Sequence, residues 1–125
     1  MKTQRLVSLC TAVLAAGAFT ACTDNDSASG DAIEVTSTND ECIVSVEEAP
    51  SGTLTFNVSN EGDKPTEFYL LGSDEQQIVG EVENIGPGLE RKMVVTASEG
   101  DYFTSCKPGM TGDGIKAPFT VTHGD

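Results

Sequence analysis

The chain has 125 residues, 38% of them hydrophobic, with 20 acidic residues against seven basic ones and a formal net charge of −13. A surface this acidic repels phosphate backbones and excludes nucleic acid as a partner, while its field attracts cations, metal ions included. The length suffices for one small domain, whose core would bury only about 60 to 65% of the surface that the unfolded chain exposes.

Lys2 and Arg5 precede an apolar run from Leu6 to Phe19, after which the chain turns abruptly polar. That order marks residues 1–21 as an export signal. The run is shorter than the ~20 residues that span a bilayer, so it reads as a cleaved leader. Ala21 before Cys22 resembles a lipobox, with Phe19 where leucine is usual. On that reading Cys22 is the lipidated N-terminus of the mature chain, held to a membrane face by acyl chains at ~0.8 kcal/mol per buried methylene. The other reading is ordinary cleavage near Ala21 with Cys22 free. Loss of the leader leaves five basic residues against all 20 acidic ones, a formal charge of −15. Residues 22–31, small and polar after the cysteine, form a flexible tether, and the fold then occupies residues 32–123.

From Ile33 onward the chain reads as short strands, predicted at 33–37, 42–46, 53–60, 67–71, 77–83, 89–97, 101–106 and 117–122. The third is the clearest: Leu54, Phe56 and Val58 alternate with Thr55, Asn57 and Ser59, the period of a half-buried strand. Turn signals fall between strands at "APSG", "NEGDKP", "LGSDE", "IGPG", "SEGD" and "KPGMTGDG". The expected fold is an all-β Greek-key sandwich of about seven to eight strands, with no helix, repeat or second domain. Tyr102, Thr104 and Cys106 share one strand face by parity, and Tyr102 stands where a tyrosine corner would. An inward-pointing face would bury Cys106 at the end of a core strand.

Of the four cysteines, Cys10 leaves with the signal and Cys22 goes to lipid, so the domain keeps Cys42 and Cys106. Outside the cytoplasm an isolated pair is first a disulfide candidate. It would close a loop worth about 4 kcal/mol in the chain-entropy model. The alternative is metal ligation. "FTSCKPGMTG", residues 103–112, reads like the copper-ligand loop of a cupredoxin without the histidine that normally lies between cysteine and methionine. Cys106 and Met110 would be soft ligands suited to copper. Met110 could equally pack as a loop hydrophobe on the end of the sandwich. Lys107 either lowers the thiol pKa of Cys106 or is simply solvated.

Glu67 follows "NEGDKPT", roughly where a cupredoxin carries its first histidine ligand. A carboxylate there moves preference from copper toward iron, and the other reading is a strand-edge glutamate facing water. Glu81 and Glu83 share a strand face, an arrangement that is ordinarily a solvated one. His123, the single histidine, lies in the tail. No serine has a credible base partner and no glycine-rich phosphate loop precedes a helix, so no enzyme is expected.

Taken together, "IEVTSTNDEC", "APSGTLTFNVSNEG", "KPTEFYLLG", "GEVENIGPGLERKMVV" and "EGDYFTSC" resemble the cupredoxin-like N-terminal domain of the EfeO proteins, components of the bacterial Efe iron-uptake system. The resemblance runs from Ile33 to Thr122. It implies a cupredoxin fold without the type 1 histidines, with Cys42, Glu67 and Cys106 as metal ligands and Glu83 of the 81–83 segment as a further acidic one. It implies copper or iron as the bound ion, with electron transfer as a further role, and a ferric permease and an exported haem peroxidase as partners. EfeO proteins usually continue into a helical domain with an "HxxE" motif, which these residues lack. The chain is therefore expected to be a stand-alone lipoprotein or a fragment, and that domain's iron-carrying role does not transfer. The competing expectation is a non-metal sandwich pinned by a Cys42–Cys106 disulfide, docking a partner protein at the cell surface.

Overall fold

The computed structural model describes residues 32–124; the predicted leader, the lipidation site Cys22 and the whole tether lie outside the described residues. Nine strands follow in order: β1 Ile33–Ser37, β2 Cys42–Val44, β3 Glu48–Pro50, β4 Gly52–Asn60, β5 Thr66–Leu71, β6 Ile78–Ile85, β7 Glu90–Ala97, β8 Gly100–Cys106 and β9 Ile115–Thr122. A single 3-10 turn, Pro108–Met110, lies between β8 and β9. The strands form two sheets, ordered β2-β1-β4-β7 and β3-β9-β8-β5-β6. The pairing of β1 with β4 and of β3 with β9 is parallel, and the remaining pairs are antiparallel.

The period of two in β4 decides which way that strand faces. Leu54, Phe56 and Val58 are buried, and the residues between them are half-buried on the other face. Phe56 reaches across the sandwich to Phe68 on β5 and Phe119 on β9, with ring centroids 5.3 and 5.7 Å apart at tilted angles. Ile33, Val35, Met93 and Val95 complete the inner face of the first sheet, and Leu70, Ile85, Val121 and Cys106 that of the second. Fully burying side chains of this size stabilises the fold by about 1.5 to 3 kcal/mol each.

The ends of the strands are fixed by polar contacts. The Tyr102 hydroxyl donates to the Ser98 carbonyl at 2.7 Å, the backward bond of a tyrosine corner. Asn60, 2% exposed, donates through Nδ2 to the carbonyls of Lys64 and Ile85 and accepts from the Gly62 amide. The Ser37 and Thr66 hydroxyls share a buried 2.8 Å hydrogen bond between the two sheets. Asn60 thus folds the 60–66 loop onto its own backbone and sets where β5 begins.

Two details differ from the expected sandwich. Among the described residues there are nine strands where about seven to eight were expected, because "EAP" forms β3 beside β9 within a stretch that reads as the approach to a turn. A strand of three residues carries no period, and Pro50 is tolerated because β3 is an edge strand. The strand beginning at Cys42 ends at Val44, although Ser45 still donates its amide to the Glu34 carbonyl at 2.8 Å.

Candidate functional site

Cys106 is the last residue of β8 and is fully buried in the core. Cys42 is the first residue of β2, paired with Ser37 across the first sheet, and is half-buried. The two are joined by a disulfide with Cα atoms 5.5 Å apart, 64 positions apart in sequence. The bridge therefore ties the edge strand of one sheet to a central strand of the other.

The loop that Cys106 opens folds back on the start of β5. Lys107 donates its amide to the Glu67 carbonyl at 2.9 Å, and Gly109 donates to the Pro65 carbonyl at 2.8 Å. Gly109 holds φ at 75°, a left-handed conformation that glycine adopts without steric cost. Met110 closes the turn through its amide to the Lys107 carbonyl at 2.9 Å, and its side chain is half-buried.

Glu67 lies on the opposite face of the same sheet. Phe68 is the residue paired with Cys106 and points into the core, so its neighbour Glu67 points outward by strand alternation. It is nevertheless only 8% exposed. The Tyr69 hydroxyl, two residues on and on the same face, donates to Glu67 Oε2 at 2.6 Å. Burial, this hydrogen bond and the negative charges of Glu67, Glu83 and Glu81 together push the Tyr69 pKa well above its ordinary value. Lys107 Nζ caps the Tyr69 ring at 4.9 Å from its centroid, a cation–π contact. Glu67 is thus neither a water-facing edge residue nor a neighbour of the sulfurs.

Of the residues read from the sequence as ligands, the structure brings Cys42 and Cys106 together. It places Glu67 across the sheet from them, Glu83 exposed on β6, and Met110 in the turn. Among the described residues no group of three or more histidine, cysteine, aspartate or glutamate side chains is placed to hold a metal ion. His123 is 86% exposed with Nδ1 3.4 Å from Glu99 Oε2. A blue-copper site needs two imidazoles and a thiolate. This chain has one histidine, on the surface, and the Cys106 sulfur is bonded to another cysteine, so the residues present do not fit that centre. Sequence reasoning passed over Tyr69, although its spacing of two from Glu67 on a strand put both on one face. It also passed over Ser105, which carries no sequence signal and is buried with its hydroxyl unpaired among the described residues.

The fold has counterparts among solved structures. The fold matches reduced auracyanin from Roseiflexus castenholzii at 20% identity and a TM-score of 0.57, over 71% of this chain and 94% of that one. It matches auracyanin A of Chloroflexus aurantiacus, a "blue" copper protein, at 16% identity and a TM-score of 0.55, over 74% and 98%. It also matches an azurin of Methylomonas sp. strain J at 14% identity and a TM-score of 0.54, over 74% and 96%. At such identities the likeness is one of fold. A search of curated proteins finds no match. A model of the cupredoxin-like domain matches residues 10–121, and the chain belongs to that family.

Proposed function

We propose that the chain is an exported, lipid-tethered cupredoxin-like module of a bacterial iron-uptake system, without a blue-copper centre. Its Cys42–Cys106 pair is a structural bridge when oxidised and a pair of soft-metal ligands when reduced. The observation that carries this reading is the bridge itself, which occupies the sulfur that a copper thiolate would require. The sequence resemblance to EfeO N-terminal domains supports the iron-uptake setting, with a ferric permease and an exported haem peroxidase as partners. Opening the bridge takes two electrons and two protons from a dithiol reductant and yields two thiols. As thiolates these suit copper in its reduced state better than iron. The competing docking role is favoured by Ile43 and Val46, 51% and 42% exposed on and just beyond the edge strand beside the bridge.

Anaerobic titration with Cu(I), Cu(II), Fe(II) and Fe(III), before and after reduction by a dithiol, separates the two. The expected result is stoichiometric Cu(I) binding only after reduction, lost in Cys42→Ser and kept in Glu67→Ala. Undiminished binding in Cys42→Ser would defeat the ligand assignment, and no binding in either state leaves the docking role.

A further inference from the structure

Beside the Glu67–Tyr69 pair, on the outer face of the five-stranded sheet, lies a pocket of about 200 Å³ whose lining includes Tyr69, Glu75, Ser105, Lys107, Asp113 and Lys116. Ser105 pairs with Tyr69 on one side and Lys116 on the other, so strand register alone brings these three side chains to one place. Ser105 is 1% exposed, and its Oγ is a buried side-chain oxygen without a hydrogen-bond partner among the described residues. A buried hydroxyl left unpaired is costly, and buried polar atoms of folded proteins nearly always have a partner. Gly114, with φ at 84°, lies against that hydroxyl so closely that a Cβ there would collide with Ser105 Oγ. Without a side chain at 114 the loop passes close to the hydroxyl yet supplies it no partner.

The charges around the pocket are unusual for this chain. Only five basic residues follow the leader, and two of them, Lys107 and Lys116, line this one small pocket. Lys116 Nζ stands 4.0 Å from Glu75 Oε1, too long for a hydrogen bond, and Lys107 Nζ rests over the Tyr69 ring. Both ammonium groups keep donors to offer. Glu75 and Asp113 on the same lining balance those charges and disfavour a ligand of high negative charge.

We propose that this pocket binds a small oxyanion of low charge, a monocarboxylate or a phosphate. The Lys107 and Lys116 ammonium groups neutralise it and the Ser105 hydroxyl donates to one of its oxygens. This assignment does not depend on the state of the Cys42–Cys106 pair. The test is titration of the isotopically labelled full chain with acetate, inorganic phosphate, citrate and chloride, followed by amide chemical shifts. Acetate or phosphate should give saturable shifts centred on Ser105, Lys107 and Gly112, with chloride giving none and citrate binding more weakly. The tighter of acetate and phosphate identifies the ligand chemistry. Ser105→Ala and Lys116→Gln, both small changes on the outer face of the sheet away from the core, should each weaken binding by about tenfold or more, as loss of a charged hydrogen bond does. Shifts that follow ionic strength alone, or saturable binding unchanged in both variants, would overturn the assignment.

Discussion

The Tyr69 hydroxyl donates a 2.6 Å hydrogen bond to Glu67 Oε2, on the outer face of a strand whose inner face carries the neighbour of Cys106. In the folded protein Tyr69 holds its proton above the ordinary tyrosine range, first because it is buried and then because Glu67 accepts that proton's bond. The unfolded chain releases it near pH 10. A group whose pKa is raised by folding contributes stability that is fully present below its unfolded pKa, and that is lost as pH rises toward the folded value. Stability should therefore fall as pH climbs above about 10. Tyr69→Phe should flatten that fall and cost about 1.5 to 3 kcal/mol at neutral pH, the range for a hydrogen bond to a charged group. Urea unfolding at a series of pH values measures both.

The disulfide between Cys42 and Cys106 closes a loop long enough for a sizeable effect on the unfolded chain. Reduction, or the double change Cys42→Ser with Cys106→Ser, should lower stability by about 2 to 5 kcal/mol. Denaturant midpoints with and without a dithiol reductant read this directly, and the double variant should no longer respond to reductant.

Phe56 is the aromatic that touches both Phe68 and Phe119 across the sandwich. Phe56→Ala removes the central contact between the sheets and should cost about 3 to 5 kcal/mol. Phe56→Leu should cost markedly less. Equilibrium unfolding of the two variants distinguishes a packing role from a merely apolar one.

Much of this was legible in the sequence, and where it was not the reason is physical. Strands of six or more residues with one wet face announce themselves by alternation, as β4 does through Leu54, Phe56 and Val58. The tyrosine corner was legible too, because Tyr102, Thr104 and Cys106 share parity on a strand. Strand β3 was not, since three residues that pair in parallel with a strand some 70 positions away leave no local pattern. The separation of Glu67 from the sulfurs was not legible for a related reason. Glu67 and Cys106 lie near each other through β5 and β8, but Phe68 is the residue opposite Cys106, and a shift of one position turns a side chain to the other face. Cysteine count alone left bridge and ligand pair open, and the Cα separation of 5.5 Å joins them.

Tyr102 holds the turn before β8 through its bond to the Ser98 carbonyl. Tyr102→Phe keeps the ring packed against the core and removes that bond alone. The expected loss is about 0.5 to 1.5 kcal/mol, with unchanged spectra of the folded state. Thermal unfolding checks it, and a larger loss would mean that the ring itself had moved.

The central claim is that a disulfide takes the place of a blue-copper thiolate in this cupredoxin-like domain. It is tested most directly by counting the free thiols of Cys42 and Cys106 in the protein isolated without reductant and then denatured, and by recording its visible spectrum with added Cu(II). The account predicts no free thiol at either position and no intense blue absorption. Two free thiols together with a strong blue band would contradict it.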